Sequence, residues 1–245
     1  MRFNFPHLSF VSTDSTNIQA LHYLSKTSPQ SGFMLIADYQ TGGKGQFGRN
    51  WESEAGLNLL CSFIFGPLNW NLDRLFNLHL ISALSSVQLL SEYQLPHLSV
   101  KWPNDIYSGP HKVAGILIQN IIKENKLHWT VIGVGINVNQ TSFPAGLNAT
   151  SLALEKGIQF SVDALAIRFR EILVNFFKED IQEHSLLKKY NELLYSKNQW
   201  KTMHKNEGFP IQAKILKISE EGHLIVEKQN GELISIQHGE LNIDW

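Results

Sequence analysis

Residues 40–51 have the residue types and the spacing of an anion-binding loop. They include four glycines, two cations, Lys44 and Arg49, and a closing tryptophan, Trp51. Glycine lets backbone N–H groups approach an anion closely, and the two side chains add positive charge. The indole could cover a flat ring. We therefore expect a site for a charged ligand with a ring, because a polar hairpin tip has little use for a tryptophan.

Two common nucleotide-binding motifs do not fit this loop. Gly43-x-Gly45-x-x-Gly48 has the spacing of a dinucleotide fingerprint, but residues 49–56 lack the apolar spacing of the helix that it must open. No acidic residue follows about 20 residues later to bind a ribose. Lys44 stands among the glycines, and no Gly-Lys-Ser/Thr closes the run, which excludes a P-loop.

Two later segments carry further groups of this kind. A Pro-Asn-Asp turn at residues 103–105 is flanked by Lys101 and Lys112, and Gly115 interrupts an apolar strand soon afterwards. Ordinary turn chemistry explains the Pro-Asn-Asp sequence alone equally well, but the two lysines and the glycine favour a ligand site.

The third segment is Gly133-Val134-Gly135-Ile136-Asn137. Alternating glycines leave one face of a strand bare, so that a flat ring could lie on it. The amide of Asn137 could pair with an amide-like or purine edge.

Composition narrows the class of protein. The chain has 245 residues, 43% of them hydrophobic, and a formal net charge of −1, so it has no overall field that would attract nucleic acid or a membrane. The ten histidines lack zinc-site spacing, and we expect no intrinsic metal. The single Cys61 lies in an apolar run, which predicts a buried thiol. Without a secretory signal or cysteine pairs, a cytoplasmic location is expected.

Hydrophobic periodicity predicts elements of both types. The predicted helices cover residues 14–24, 72–93, 161–181 and 186–195, and the predicted strands cover 33–37, 57–65, 98–102, 113–122 and 129–138. The last two strands are expected to form a hairpin. From about residue 209, short alternating runs and an Asn230-Gly231 turn predict a small β-barrel.

Five segments, in this order, resemble the motif set of the biotin protein ligases: Ser15-Thr16-Asn17, residues 40–51, Lys101-Trp102-Pro103-Asn104-Asp105, Lys112-Val113-Ala114-Gly115 and Gly133-Val134-Gly135-Ile136-Asn137. The resemblance implies an α+β fold: a mixed, mostly antiparallel sheet with helices, similar to class II synthetases, in residues 1–200. An SH3-like barrel would follow in residues 201–245. The DNA-binding domain that some members carry at the N-terminus would be absent, since Ser15 lies close to Met1.

The resemblance also implies a reaction. Biotin and MgATP would give biotinyl-5′-adenylate, and the biotinyl group would then pass to a lysine of a biotin carboxyl carrier domain, such as that of acetyl-CoA carboxylase. The biotin-binding residues would be Ser15, Thr16, Asn17, Gln40, Gly43, Gly45, Lys112 and Gly115. Those for ATP and the adenylate would be Lys44, Arg49, Trp51, Asn104 and Asn137. Catalytic roles would fall to Lys112, Arg49, Lys44 and Asp105, with Asp105 orienting or deprotonating the acceptor lysine.

The cations and glycines of these motifs suit the formation of an acyl-adenylate. A carboxylate and a triphosphate repel one another, so local cations, backbone donors and Mg²⁺ must bring them together. Closure of residues 42–48 over the intermediate is a further expectation. One departure concerns Gln46-Phe47, where some relatives carry basic residues, so that charge would retain the adenylate less well.

Two alternatives stay open at this point. A lipoate or octanoate ligase or transferase would share the fold, although a pocket for a simple acyl chain needs fewer polar groups. A non-catalytic nucleotide-binding regulatory module would not need Lys112 and Arg49. The balanced charge argues against DNA as a partner, and exposed sheet edges would allow a homodimer.

Overall fold

The computed structural model describes residues 3–178, 183–204 and 210–245, which form two β-sheets and five α-helices. The strands of the larger sheet are β1 (His7–Thr13), β2 (Phe33–Gln40), β3 (Leu59–Phe65), β4 (Trp70–Asn71), β5 (Leu98–Lys101), β6 (Asp105–Ser108), β7 (His111–Lys123) and β8 (Lys126–Ile136). The helices are α1 (Thr16–Leu24), α2 (Leu75–Glu92), α3 (Leu152–Lys156), α4 (Val162–Lys178) and α5 (Glu183–Glu192). The second sheet contains β9 (Trp200–His204), β10 (Ile211–Ile218), β11 (Leu224–Lys228), β12 (Leu233–Ile236) and β13 (Asn242–Ile243).

The larger sheet is mixed and mostly antiparallel, as predicted. Its strand order is β1-β2-β3-β8-β7-β6-β5, with β4 paired to β8. The β1–β2 pair is parallel, and the other recorded pairs are antiparallel. The predicted hairpin is formed by β7 and β8, whose polar tip reverses the chain at residues 124–125.

Helices cover both faces of this sheet, which explains why β3 is buried along its whole length. Neighbouring residues of a strand point to opposite faces. Ile64 packs with Ala20 of α1 on one face, whereas Phe63 lies edge-on to Phe169 of α4 on the other, with ring centroids 5.5 Å apart. α2 contacts both α4 and α5. This two-sided packing fixes the sheet.

Several element boundaries differ from the predictions. The helix predicted from residue 72 begins with a 3₁₀ turn and becomes α-helical at Leu75, and the one predicted from 186 begins at Glu183. The predicted end of the third helix, residues 179–181, falls outside the described residues. Sequence patterns missed β1, β4, β6, α3, β9 and β13. All of these except β1 are two to five residues long, too short for periodicity to identify.

The C-terminal strands form an open sheet and not the closed barrel that was predicted. Their order is β12-β11-β10-β9-β13, and within residues 200–204 and 210–245 no pairing joins β12 to β13. The predicted Asn230-Gly231 turn does connect β11 and β12.

Hydrogen bonds attach this sheet to the rest of the molecule. The indole Nε1 of Trp102 donates to the carbonyl oxygen of Gly222 over 2.9 Å. The side chain of Asn191 on α5 bonds both the N–H and the C=O of Ile218. No helix among the described residues has the length and apolar character needed to cross a membrane.

Candidate active site

A cavity of about 580 Å³ collects most of the residues that the sequence motifs single out. Its wall includes twelve of the predicted site residues: Ser15, Thr16, Asn17, Gln40, Lys44, Gly45, Arg49, Trp51, Asn104, Asp105, Lys112 and Gly115. Gly43 and Asn137 do not lie on the wall. The three predicted catalytic cations, Lys44, Arg49 and Lys112, line the same cavity.

A buried polar cluster forms one part of the cavity at the start of α1. The side-chain oxygen of Gln40 accepts hydrogen bonds from the backbone N–H and the hydroxyl of Thr16, over 2.7 and 3.0 Å. The hydroxyl of Ser62 lies 2.7 Å from Thr16 Oγ1 and 2.6 Å from Asn17 Oδ1. One hydroxyl hydrogen cannot serve two acceptors fully, so the cluster has a spare acceptor.

The amide of Asn17 is held from several sides. Its nitrogen donates to the carbonyl oxygen of Leu117 over 3.2 Å and to Gln119 Oε1 over 3.0 Å. With both hydrogens engaged, the amide oxygen must point towards Ser62 and Gly133. A Cβ at Gly133 would collide with that oxygen, so the residue has to be glycine. Residue 133 therefore makes room for Asn17 and not for a ligand ring.

Trp51 occupies the bare face of the β7–β8 hairpin. Gly115 and Gly135 pair across the two strands. A Cβ on Gly135 would lie 2.5 Å from Trp51 Cε2, and one on Gly115 would lie 2.9 Å from Trp51 Cζ3. The flat ring that the alternating glycines were expected to receive from a ligand is thus the protein's own indole, whose Nε1 is buried without a partner among the described residues.

A salt bridge joins two of the predicted catalytic residues. Lys112 Nζ lies 2.8 Å from Asp105 Oδ1, and both side chains are partly buried. The ammonium group also lies 5.4 Å from the centroid of the Trp51 ring. Asp105 therefore compensates one of the cations that face the cavity and fixes its position.

Lys101 is a further cation on the wall. Its ammonium group donates to the hydroxyl of Tyr107 over 3.3 Å. Burial lowers the pKa of Lys101, and the charges of Lys112 and Arg49 act in the same direction, whereas Asp105 opposes them. Burial also raises the pKa of Tyr107 to about 12, so the phenol stays neutral. The cavity thus concentrates positive charge that an anion would relieve.

Two predicted nucleotide-binding amides bond to the backbone instead. Asn104 Nδ2 donates to the carbonyl oxygen of Ile116 over 2.7 Å, which holds the turn against β7. Asn137 is buried, and its Nδ2 donates to Thr150 O over 2.9 Å. A role for Asn137 at adenine stays a prediction.

Sequence reasoning missed three residues that shape the site. Ser62 and Gln119 lie on strands and support Asn17, whereas His238 lies on the cavity wall beside Phe47. Ser62 could have been noticed as a hydroxyl inside the apolar run of β3. Cys61, as predicted, is buried, and burial raises the pKa of its thiol.

The donor set of the cavity does not suit a resident metal ion. No cluster of three or more His, Cys, Asp or Glu side chains that could hold one occurs within the described ranges.

Comparisons with known proteins show which family and which solved structures the chain is similar to. Residues 9–137 match the model of the Biotin/lipoate A/B protein ligase family. The chain is 29% identical over 238 residues to the bifunctional ligase/repressor BirA of Bacillus spizizenii, covering 92% of this chain and 70% of that protein. It is 31% identical over 174 residues to BirA of Bacillus subtilis, covering 70% of this chain but only 53% of the relative. The biotin protein ligase from Aquifex aeolicus, solved with biotin and ATP, superposes with a TM-score of 0.80 at 27% identity, covering 98% of this chain and 99% of that one.

Proposed function

Because the chain belongs to the Biotin/lipoate A/B protein ligase family, we propose that it is a biotin protein ligase. It joins biotin and ATP to give biotinyl-5′-adenylate and pyrophosphate, and it transfers the biotinyl group to a lysine of a biotin carboxyl carrier domain. The observation that carries this proposal is the single cavity whose wall holds both a buried polar cluster and four cations.

Asn17, Trp51 and Lys112 follow one another along the β7–β8 hairpin in an order that suits an extended acyl-adenylate. Asn17 lies against Gly133, Trp51 lies against Gly135, and Lys112 lies further along on the paired strand. Two residues of a strand span about 7 Å. The polar cluster would bind the head of the acid, and the cations would meet its carboxylate and the phosphates.

The polar cluster favours biotin over a simple acyl chain. A ureido ring offers two N–H donors and one carbonyl acceptor. The spare acceptor shared by Ser62, Thr16 and Asn17 suits such a donor, and the amide nitrogen of Gln40 suits the carbonyl. The dithiolane of lipoate or the tail of octanoate would leave buried polar groups unpaired, which costs about 1–3 kcal/mol for each group.

In the first step the biotin carboxylate attacks the α-phosphorus of ATP, and the bond to the β-phosphate oxygen breaks to release pyrophosphate. Lys44, Arg49 and Lys112 neutralise the two anions as they approach and so lower their repulsion. Mg²⁺ bound with ATP supplies further charge neutralisation on the phosphates. The substrate carboxylate is itself the nucleophile, so the protein need not provide one.

In the second step the amine of the acceptor lysine attacks the acyl carbon, the bond to the phosphate oxygen breaks, and AMP leaves. The amine must lose a proton. Asp105 stands beside Lys112 in the cavity, where it can orient the incoming amine or accept that proton. The carrier domain would be that of acetyl-CoA carboxylase or a related enzyme, and the reaction would take place in the cytoplasm.

The catalytic unit would comprise residues 1–200, followed by the C-terminal unit of residues 201–245. The strands of the second sheet begin at Trp200. Because His238 and its neighbours reach the cavity, the second unit would contribute to the site and not act only as an appendage.

The test is pyrophosphate release from ATP, measured separately with biotin, lipoate and octanoate, followed by labelling of a carrier domain. We expect pyrophosphate release with biotin but not with lipoate or octanoate. The Lys112→Ala variant should lose this release. Lys123→Ala, at the exposed far end of the same strand, is the matched control. Release with lipoate or octanoate but not with biotin would assign the chain to the other branch of the family, and an unchanged rate in Lys112→Ala would remove the charge argument.

A further inference from the structure

Phe47 makes a contact that links the glycine loop to the C-terminal sheet. Its side chain is 70% exposed, yet its ring lies 4.8 Å from the ring of His238. Gly239, which follows His238 in the chain, has φ +88°, and a Cβ there would lie 2.9 Å from Phe47 Cζ. Glycine therefore serves both the backbone conformation and the space that the phenyl ring needs.

His238 is itself fixed by the Lys101–Asp105 segment. Its ring lies edge-on to that of Trp102, with centroids 5.2 Å apart and an interplanar angle of 80°. Trp102 is 6% exposed and is bonded through its indole N–H to Gly222 of the C-terminal unit. Phe47 therefore packs against a histidine that is held by Trp102, and Trp102 is held in turn by the C-terminal unit.

Backbone hydrogen bonds close the loop around Phe47 at its base and again near its tip, where Gly45 N–H donates to Arg49 O over 2.7 Å. At the base, Gly42 N–H donates to Asp14 O over 2.9 Å, and Trp51 N–H donates to Gly43 O over 3.0 Å. The tip turns at Phe47, which has the left-handed backbone angles φ 53° and ψ 38° that non-glycine residues adopt at a cost. Some interaction must compensate for this conformation, and the contact with His238 is available.

The contact between Phe47 and His238 lies on the wall of the cavity. Phe47, His238 and Gly239 all line it, together with Lys44 and Arg49 of the same loop. Desolvation and the charge of Arg49 lower the pKa of His238, while Asp105 acts in the opposite direction. The lowered pKa favours the neutral imidazole, and offset or tilted aromatic packing accommodates two uncharged rings.

We infer that Phe47 and His238 form an aromatic contact that holds the glycine loop over the cavity, so that the C-terminal sheet controls how long an acyl-adenylate stays bound. This inference rests on the proposed function. No cation lies between Lys44 and Arg49, so the loop tip has no charge with which to hold the phosphate. Ring packing between Phe47 and His238 takes the place of that charge. Phe47 and His238 act by holding Lys44 and Arg49 in position.

The experiment measures release of labelled biotinyl-adenylate after the purified enzyme has been loaded with biotin and MgATP and then diluted into unlabelled ligand. An aromatic pair of this kind is expected to slow release about two- to tenfold. Phe47→Ala and His238→Ala should each accelerate release by that factor. The double variant should be no faster than the single variants, because both remove the same contact.

Three further variants separate ring packing from other effects. Phe47→Tyr and His238→Phe keep the rings and should release adenylate at the parent rate. Leu233→Ala truncates an exposed apolar side chain of the same sheet and is the matched control. Amide hydrogen exchange of residues 45–50 gives a readout without turnover, and Phe47→Ala and His238→Ala should lose protection there.

The outcomes distinguish this inference from the proposed function. If the parent enzyme forms no pyrophosphate with biotin, the proposed function fails. If the parent forms adenylate but Phe47→Ala and His238→Ala release it at the parent rate, the aromatic contact does not hold the loop. Multiplicative effects in the double variant would likewise overturn the inference, since they would mean that the two residues act separately.

Discussion

At the scale of single residues, the site depends on side chains that fix other side chains. Asn17 is the clearest case, because its two amide hydrogens are both used by Leu117 O and Gln119 Oε1. That arrangement decides which atom of the amide faces Ser62 and the cavity. Gln119 does not line the cavity, so its effect on a ligand would act entirely through Asn17.

Replacing Gln119 by Leu should weaken biotin binding. One hydrogen of the Asn17 amide loses its acceptor, and an unsatisfied buried donor costs about 1–3 kcal/mol. We expect the KM for biotin to rise about tenfold, with kcat little changed, because 1.4 kcal/mol corresponds to a factor of ten. Steady-state kinetics at saturating ATP would measure both constants.

Gln119→Glu keeps an oxygen acceptor at the same place and should restore the KM to near the parent value. Asn120→Leu is the matched control, since the neighbouring residue of β7 is exposed and points to the opposite face. A Glu variant as impaired as the Leu variant, or a loss confined to kcat, would show that Gln119 does not orient Asn17.

At the scale of elements, the β7–β8 hairpin gives the cavity its shape. Its long apolar runs are typical of paired strands, and the sequence predicts it well. The same reasoning failed for β6 and α3, because such short segments are stabilised by tertiary pairing and not by their own periodicity. The closed barrel was wrong because alternation in β10–β12 reports burial of one face but says nothing about whether the outer strands meet.

The glycines of this hairpin show a similar limit. Their alternation correctly indicated a bare face, but a sequence cannot show that residue 51, more than 60 residues earlier, fills it. Motifs identify candidate ligand-binding residues. Supporting residues such as Ser62 and His238 come from distant segments, and pairing in three dimensions brings them together.

Gly135→Ala should displace Trp51 and impair nucleotide binding more than biotin binding. The added methyl group would lie 2.5 Å from Trp51 Cε2, so the indole has to move. We expect the KM for ATP to rise at least severalfold and the free energy of unfolding to fall by about 1–3 kcal/mol, the usual cost of overpacking. Asn17 lies against Gly133, so the dissociation constant for biotin should change less.

A second substitution tests the cause. In Trp51→Ala the obstructing ring is absent, so adding Gly135→Ala should cost little more than Trp51→Ala alone. Isothermal titration with biotin and kinetics with ATP would give the two affinities. Additive losses in the double variant would mean that Gly135 matters for strand geometry and not for room under the indole.

At the scale of the whole molecule, a second hollow of about 330 Å³ lies between α2, the turn at residues 102–103 and the C-terminal unit. His79 lines it from α2, and Glu221, His223 and His238 are the titratable residues on the facing side. His79 Nδ1 is buried and has no hydrogen-bond partner among the described residues. The junction that supports His238 therefore contains a histidine that cannot easily take up a proton.

Acid should weaken this junction through His79. Burial, with a smaller effect from His238, lowers its pKa from 6.5 to about 4. In the unfolded chain the imidazole binds a proton below about pH 6.5, whereas in the folded chain it stays neutral until about pH 4. The unfolded state thus binds more protons in this window, so the free energy of unfolding should fall by about 3 kcal/mol from pH 6.5 to pH 4.

Urea unfolding at several pH values between 4 and 6.5 would measure how steeply the free energy of unfolding depends on pH. His79→Phe, which can still pack against Phe76, should flatten this dependence by about this amount, whereas His22→Phe, at an exposed position of α1, should leave it unchanged. Equal slopes in the parent and in His79→Phe would show that the junction tolerates a charged His79 and that acid acts elsewhere.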